Sequence, residues 1–386
     1  MSNRFNDRQG RIKLGMVGGG EGAFIGAVHR IAARIDGHYE LVAGALSSDA
    51  RRASRSAETI GLDPARSYAD FGTMALAEAA RPDGIEAVAI VTPNHVHAPA
   101  IRAFVEAGIH IICDKPLTTT VEEARDLQRI VQASGLFFGL THTYTGYPMI
   151  RQAREMVRNG DLGDIRIVQV EYAQDWLATK LEDSDNKQAA WRADPARSGL
   201  GGCIADIGTH AFNLTAFVTG LELAEMSADL STFVPGRLLD DNVQVMLRYA
   251  GGARGALWAS QVAVGSDNEV SLRIFGTKGA LAWSQRDANE LIWMPLGCNR
   301  EVIARNGAGA LDIARRSSRV PAGHPEGYLE AFGNLYADAA EDIIARRAGR
   351  SVDGPPMATI DDGVAGLAFI EAAIRSSSAG GVWVKL

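Results

Sequence analysis

The apolar residues follow two patterns along this chain, and the pattern changes near residue 143. In the first part, five short apolar runs have the length of buried strands: 14–17, 41–45, 87–91, 109–113 and 136–140. The segments that alternate with them have helical spacing of apolar positions: 25–35, 50–60, 74–80, 97–107 and 121–133. Because such runs are typical of a parallel sheet covered on both faces, residues 1–142 are predicted to form a doubly wound α/β domain.

From residue 165 onward, apolar and polar residues alternate instead. Val168, Val170 and Tyr172 alternate with polar neighbours, and comparable runs follow at 243–249, 256–264 and 270–275. Glycines at 251–252 and at 276 and 279 indicate hairpin turns. Residues 143–386 are therefore predicted to form an α+β domain with a large, mostly antiparallel open sheet. A sheet with one free face is a frequent contact between subunits, so we expect a homodimer or homotetramer.

Composition narrows the classes of partner. The net charge is −7, and the basic residues are scattered along the chain, which argues against nucleic acid and against an anionic membrane surface. No apolar stretch approaches the length of a membrane span, and the polar start lacks the core of a signal peptide, so we expect a cytoplasmic protein. Cys113, Cys203 and Cys298 are far apart and odd in number, which predicts neither disulfides nor a structural zinc site.

A glycine-rich turn follows the first predicted strand and opens the first helix. Glycines at this place let the backbone approach a pyrophosphate and direct amide groups toward it. Gly18 and Gly20 fit the G-x-G-x-x-G spacing, whereas the third position falls on Ala23, or on Gly26 if three residues are inserted. Many turns need glycine for backbone reasons alone, but the strand–turn–helix context favours dinucleotide binding.

Residues at the end of the second strand should contact the adenosine ribose of such a cofactor. Ser47, Ser48 and Asp49 stand there, followed by Arg51. A carboxylate favours the 2′-hydroxyl of NAD, whereas serine and arginine favour the 2′-phosphate of NADP. The sequence predicts NAD, with NADP possible.

Two further strand ends carry polar groups where ligands bind in open α/β sheets. Lys115, in Asp114-Lys115-Pro116, is one of only six lysines and directly follows a buried run. Thr92 and Asn94 follow the preceding strand. The alternatives are a lysine that extends into solvent and a proline-led turn with an Asn cap.

A second motif lies in the other domain, Gly201-Gly202-x-x-x-Asp206-x-Gly208-x-His210. Four residues apart on a helix, Asp206 and His210 would project from one face, where the carboxylate can orient an imidazole for proton transfer. A surface pair and a metal-binding pair that lacks a third ligand are the alternatives; we predict that no metal is bound.

Taken in order along nearly the whole chain, these motifs and Trp191-Arg192 resemble the glucose-fructose oxidoreductase, inositol dehydrogenase and rhizopine catabolism (Gfo/Idh/MocA) family. The resemblance implies an NAD(P)-dependent dehydrogenase with an N-terminal Rossmann domain, in which Lys115, Asp206 and His210 surround the reacting alcohol. The chain departs from the family pattern at Asp114, where the family has Glu, and in the longer glycine loop. The candidate cofactor-binding residues are Gly18, Gly20, Phe24, Ile25, Ser47, Ser48, Thr92, Asn94, His97, Asp114, Lys115, Trp191 and Arg192.

The expected reaction is oxidation of a secondary hydroxyl of a pyranose, a glycoside or a cyclitol such as inositol. The nicotinamide takes the hydride, so the protein must move the hydroxyl proton and stabilise the oxygen. His210 is the candidate base and Lys115 the candidate partner of the oxygen, although the sequence does not decide which of them accepts the proton. A keto-sugar or keto-cyclitol reductase, and a non-catalytic dinucleotide-binding sensor, are the alternative functions.

Candidate substrate ligands are mostly neutral donors and acceptors, which favour a small polyhydroxylated substrate over a phosphorylated one. Gln174 and Trp176 follow a predicted strand, and the indole ring suits the C–H face of a sugar. His324 precedes a helix predicted to begin at Tyr328, where a proline-initiated helix start is the alternative interpretation. The full set of candidate substrate-binding residues is Lys115, Tyr144, Gln174, Trp176, Arg192, Asp206, His210 and His324.

Overall fold

The computed structural model describes residues 10–351 and 357–386, and these residues divide into two compact units. The first unit contains the described residues up to Thr143 together with those from Tyr328 to Val364. The second contains Tyr144–Gly327 and Ala365–Leu386.

The first unit is built on a five-stranded parallel sheet of order β2-β1-β3-β4-β5. Its strands are β1 (Ile12–Gly18), β2 (Tyr39–Ala45), β3 (Ala87–Val91), β4 (His110–Cys113) and β5 (Phe138–Leu140). All five residues of β3 are buried, as expected for a central strand covered on both faces. The predicted doubly wound parallel sheet is confirmed.

Helices alternate with these strands. They are α1 (Phe24–Ile35), α2 (Ala50–Thr59), α3 (Phe71–Ala79), α4 (His97–Glu106), α5 (Val121–Ser134) and, later in the chain, α11 (Tyr328–Arg347). Asp49, Asp70 and Thr120 cap the first turns of α2, α3 and α5 by accepting hydrogen bonds from backbone amides, which explains why each helix begins where it does.

Helix α11 packs within the first unit, although the sequence prediction placed it with residues 143–386. Phe332 and Leu335 of α11 join a core that includes Leu14 of β1. The hydroxyl group of Tyr336 lies 2.8 Å from Nδ1 of the buried His29 on α1. The division differs from the prediction because apolar spacing indicates which face of a helix is buried, but not against which sheet it packs.

The second unit is built on a nine-stranded sheet of order β13-β12-β11-β10-β6-β9-β8-β7-β14. Only β6 and β9 pair in parallel; the other neighbours are antiparallel. The strands are β6 (Ile165–Ala173), β7 (Leu223–Ser231), β8 (Asn242–Tyr249), β9 (Arg254–Ser260), β10 (Glu269–Gly276), β11 (Gly279–Ser284), β12 (Glu290–Pro295), β13 (Glu301–Ala304) and β14 (Val384–Lys385). This confirms the predicted large, mostly antiparallel sheet, except that the run at 256–264 leaves the sheet after Ser260.

One face of this sheet is covered by helices. The helices of the unit are α6 (Pro148–Arg158), α7 (Lys187–Arg192), α8 (Pro195–Ser198), α9 (Thr209–Thr219), α10 (Asp312–Arg316) and, from Ala365 onward, α12 (Ile360–Ser378). Helix α9 contacts α6, β6 and β9, and Val168 and Val170 of β6 are buried. On the other face, Ile167 is exposed and the side chain of Met246 is 54% exposed, so apolar area remains uncovered there.

Candidate active site

The glycine loop between β1 and α1 has no room for side chains at two decisive positions. A Cβ atom at Gly20 would lie 2.6 Å from the carbonyl oxygen of Leu46, and one at Gly26 would lie 2.3 Å from that of Gly19. Gly18 and Gly19 have φ angles of 77° and 70°, which disfavour other residues. Gly26 therefore allows α1 to approach the loop closely. This supports Gly26 as the third position of the G-x-G-x-x-G pattern, with three residues inserted before it.

The loop leaves helix amides available for an anion. The backbone amide of Glu21 donates to Ser56 Oγ (2.9 Å) and that of Ala23 donates to the Gly20 carbonyl (3.1 Å), so these two amides already have partners. Ala23, which precedes α1, provides no side-chain cap for the amides of the first turn, where Phe24 and Ile25 lie. A cleft of about 450 Å³ adjoins this loop, and Phe24 is 70% exposed beside it. The loop fits the pyrophosphate of a dinucleotide.

At the end of β2, the candidate ribose ligands are close together. Asp49 Oδ1 accepts a hydrogen bond from the amide of Arg52 (2.7 Å), and the amide of Asp49 donates to Ser47 Oγ (3.1 Å). Asp49 thus serves as the cap of α2, while Ser48 is exposed. The carboxylate remains at the surface, where a ribose can reach it.

His97 connects the loops that follow β3 and β4. Its ring is fully buried, with Nδ1 2.9 Å from the Pro116 carbonyl and Nε2 2.9 Å from the Thr92 carbonyl, and burial lowers the pKa of the imidazole. Thr92 Oγ1 is buried without a hydrogen-bond partner among the described residues, and Asn94 is buried nearby in sequence. The imidazole of His97 therefore fixes these loops, and its direct contact with a cofactor stays a prediction.

Asp114 holds the end of β4 in place. Its Oδ1 accepts hydrogen bonds from Thr141 Oγ1 (2.8 Å) and from the amide of Lys115 (3.0 Å). The side chain of Lys115 is half-buried. Burial and, second, the cation of Lys115 lower the pKa of the neighbouring His142 to about 3. The lysine is therefore the positive group at this strand end, beside a neutral imidazole.

In the second unit, the segment before His210 is not the regular helix that the sequence predicts. Ile204–Gly208 forms a π-helical turn that leads into α9, and single π turns are frequent at functional sites. The preceding glycine pair is fixed by Asp240, which accepts hydrogen bonds from the amides of Gly202 (2.6 Å) and Ile204 (2.8 Å). Burial raises the pKa of Asp240 to about 6 despite these bonds. The motif glycines thus give this turn its close contact with Asp240.

One oxygen of the Asp206 carboxylate has both a hydrogen-bond donor and an ion-pair partner. Oδ2 lies 2.9 Å from Gln261 Nε2 and 3.4 Å from Arg192 Nε. The guanidinium carbon of Arg192 lies 4.2 Å from the ring centre of Trp191 and 5.9 Å from that of Trp176. Four sequence-predicted residues, Asp206, Arg192, Trp191 and Trp176, are therefore brought together here.

His210 is 8% exposed and lies against tyrosines. Its ring meets that of Tyr144 edge-on at 5.2 Å and that of Tyr172 at 6.1 Å. The two tyrosine hydroxyl groups are 2.6 Å apart, and Asn268 bonds to both of them, at 2.9 Å to Tyr172 and 3.3 Å to Tyr144. Burial raises the pKa of Tyr144 to about 12, so its phenol stays protonated.

Gln174 joins the same network. Its Nε2 donates to Asn268 Oδ1 (2.5 Å) and to the hydroxyl of Tyr172 (3.2 Å), while its Oε1 is buried and has no partner in the described part of the chain. The two tyrosines that lie against His210 are thus part of a hydrogen-bonded network with Asn268 and Gln174.

His324 is exposed, and its loop is held by the buried Arg305. The guanidinium of Arg305 donates to Glu326 Oε1 (3.0 Å), to the Val320 carbonyl (2.9 Å) and to the carbonyl of His324. The loop is thus fixed, whereas the role of the His324 imidazole stays a prediction.

No motif in the sequence marks Gln261, Asn268 or Tyr172 as candidate site residues. Gln261 directly follows β9, so its position after a strand end was a usable signal. Asn268 and Tyr172 belong to no recognisable motif, because their partners are distant in sequence.

Within residues 10–351 and 357–386, no group of three His, Cys, Asp or Glu residues could hold a metal ion. Burial raises the pKa of the Cys113 and Cys203 thiols. Helices in the described ranges are all too short or too polar to cross a membrane.

Two solved structures are similar to this chain over nearly its whole length. An oxidoreductase from Sinorhizobium meliloti is 52% identical and covers 98% of this chain and 100% of its own, with a TM-score of 0.88. An inositol dehydrogenase homologue from Azotobacter vinelandii, in complex with NADH and myo-inositol, is 35% identical, with coverages of 97% and 98% and a TM-score of 0.90.

A further relative and two family models also match this chain. The levoglucosan dehydrogenase of Pseudarthrobacter phenanthrenivorans is 29% identical over 72% of this chain and 75% of its own length. Residues 12–142 match the oxidoreductase family with an NAD-binding Rossmann fold, and residues 150–282 match the GFO/IDH/MocA C-terminal domain. The chain therefore belongs to the GFO/IDH/MocA family of NAD-binding oxidoreductases.

Proposed function

We propose that this protein is an NAD-dependent dehydrogenase that oxidises a secondary hydroxyl of a pyranose, a glycoside or a cyclitol. The observation that carries the proposal is the buried His210, which follows a carboxylate held by Gln261 and Arg192 and lies against two tyrosines of a neutral hydrogen-bonded network. Relatives named for inositol and levoglucosan support the same class of substrate.

Each residue has a defined task in this proposal. The glycine loop and the first turn of α1 would bind the cofactor's pyrophosphate. When bound, the nicotinamide supplies the hydride acceptor. His210 takes the hydroxyl proton, and Asp206 stabilises the imidazolium that results. Lys115 donates a hydrogen bond to the reacting oxygen and favours its alkoxide-like form.

Recognition of the rest of the substrate would fall to neutral groups. Gln174 supplies an amide and Trp176 an apolar ring surface, whereas the cation of Arg192 already pairs with Asp206. Such a set suits a polyhydroxylated ring and offers little to balance a phosphate.

The proposal is tested by following nicotinamide absorbance with NAD and a panel of myo-inositol, levoglucosan, D-glucose and D-xylose. Glucose 6-phosphate serves as the charged comparison. Turnover of at least one neutral ring compound, with glucose 6-phosphate poorer than glucose, supports it. Reduction of ketones without measurable alcohol oxidation would favour the reductase, and no turnover in either direction would favour a sensor.

Cofactor choice gives a separate expected result. Because Asp49 stands at the end of β2 and repels a 2′-phosphate, kcat/KM with NAD should exceed that with NADP by about tenfold or more. Steady-state kinetics with both cofactors at one substrate concentration measure the ratio. A tenfold preference for NADP would contradict the expectation and would assign Ser47, Ser48 and Arg51 to the phosphate.

Metal should not be required for activity. Catalytic zinc needs three convergent protein ligands, and the cation of Lys115 already supplies positive charge to the alkoxide. Activity should survive prolonged dialysis against a strong chelator, measured before and after with added NAD. Loss of activity that zinc restores and NAD does not would overturn both the absence of metal and the role of Lys115.

We also propose that the chain self-associates through the uncovered face of its nine-stranded sheet. Ile167 and Met246 are exposed on that face, and a sheet face that helices do not cover is a frequent contact between subunits. Light scattering coupled to size exclusion would identify a dimer or tetramer. A cytoplasmic location stays a prediction.

A further inference from the structure

We infer that Gln261 is a positioning residue that orients the carboxylate of Asp206, with Arg192 as its charged partner. The inference rests on the proposed function, since it assigns a task to residues that act through Asp206.

Gln261 is held rigidly where β9 ends. Its backbone amide donates to the Asp241 carbonyl (2.8 Å), and its carbonyl accepts from the amide of Leu177 (3.1 Å). The residue is only 2% exposed, so its side chain has little freedom. Its amide nitrogen donates to Asp206 Oδ2 at 2.9 Å. A fixed donor of this kind restricts the rotation of the carboxylate.

Arg192 reaches the same oxygen from a different element. Its Nη1 donates to Gln188 Oε1 at 2.6 Å, and its guanidinium stacks on Trp191. Nε lies 3.4 Å from Asp206 Oδ2. The guanidinium is therefore held by its own neighbours and not only by the carboxylate, which limits its freedom to leave.

The combination of one cation and one neutral donor suits the task proposed for Asp206. A second cation would offset the negative charge that must stabilise an imidazolium at His210. An amide fixes the geometry of the carboxylate while adding no net charge. Because the imidazolium forms only as the hydroxyl proton is transferred, poor orientation of Asp206 should affect kcat and leave KM nearly unchanged.

The test is a double-mutant cycle of Gln261→Met and Asp206→Asn in the full chain, with NAD and the neutral substrate that gives the highest turnover in the panel. Methionine has a similar length and cannot donate a hydrogen bond. Gln261→Met should lower kcat by about tenfold or more. In the Asp206→Asn background, the same change should alter kcat by less than about twofold, because the carboxylate it serves is gone.

Gln152→Met is the matched control. Gln152 is also a buried glutamine of the second unit. Its Oε1 accepts a hydrogen bond from the backbone amide of Leu311 (2.7 Å), and its Nε2 donates to the Gly309 carbonyl (3.4 Å). The control should lose thermal stability without losing turnover per folded enzyme. If Gln261→Met does not fold, Arg192→Met in the same cycle replaces it, because Arg192 is partly exposed and its loss leaves no buried cavity.

The outcomes separate the inference from the proposed function. Normal turnover of Gln261→Met, or an equal loss in both backgrounds, contradicts the inference while Asp206→Asn still shows a large loss. An increase of KM for Arg192→Met that persists in the Asp206→Asn background would assign Arg192 to the substrate and also contradict its positioning role. Normal turnover of Asp206→Asn itself would instead contradict the proposed function.

Discussion

Replacing Lys115 by alanine is expected to lower kcat by roughly 10²-fold or more, the scale of a lost donor to a developing alkoxide. The residue stands at the carboxyl end of β4, and its backbone is held by the Asp114 carboxylate (3.0 Å). Affinity for NADH, measured by fluorescence titration, should change much less, because the pyrophosphate contacts that we propose lie in the glycine loop. Steady-state kinetics with the best neutral substrate measure the loss.

A change in the charge of the neighbouring His142 is not expected to contribute to the loss of turnover in Lys115→Ala. Burial is the main cause of its low pKa, and the Lys115 cation comes second. Removal of the lysine therefore leaves the imidazole neutral at pH 7. Lys278→Ala is the control: Lys278 is exposed in the β10–β11 turn, and its loss should leave turnover unchanged. Near-normal turnover of Lys115→Ala would remove this residue from the catalytic set.

The sheet of the first unit was predictable because its strands are buried on both faces. A strand such as β3, with every residue buried, cannot alternate and so appears as a continuous apolar run. The start of α2 was equally accessible, since Asp49 caps this helix through a hydrogen bond from the backbone amide of Arg52, three positions later.

The packing of α11 and the shape of the turn before His210 were not predictable in this way. Tyr336 packs with His29, a residue about three hundred positions earlier, and no local pattern records such a contact. The π-helical turn at Ile204–Gly208 directly follows a segment in which Gly202 approaches Asp240 closely, which is again a long-range contact.

The residues of the candidate site also fall into two groups: those that local sequence marks and those that only long-range contacts bring together. Lys115, Asp206 and His210 could be proposed as site residues because motifs and strand ends mark them. Gln261 and Asn268 contact their partners through side chains that meet only in the folded structure, so single-sequence reasoning has little to detect. The phenol of Tyr144 was predicted as a substrate ligand, and in the structure it bonds to Tyr172 and Asn268. Its contact with substrate stays a prediction.

Replacing His210 by alanine should also lower kcat by roughly 10²-fold or more, the scale of a lost general base. Tyr144, whose ring lies against that of His210, is a poor substitute base, because its pKa is raised to about 12 and its hydroxyl is engaged with Tyr172. KM should change less than kcat, since a general base contributes mainly in the transition state.

Added imidazole distinguishes a lost base from a damaged fold. The rings of Tyr144 and Tyr172 lie against the imidazole of His210 and outline the space that alanine would leave. Imidazole in solution should therefore restore part of the activity of His210→Ala, with saturation, and should not restore that of Lys115→Ala. His110→Ala, which removes a half-buried histidine bonded to the Phe137 amide (3.1 Å), is the control for stability and should keep normal turnover. Equal turnover of His210→Ala and the unaltered enzyme would exclude His210 as the base and leave Lys115 as the remaining proton acceptor.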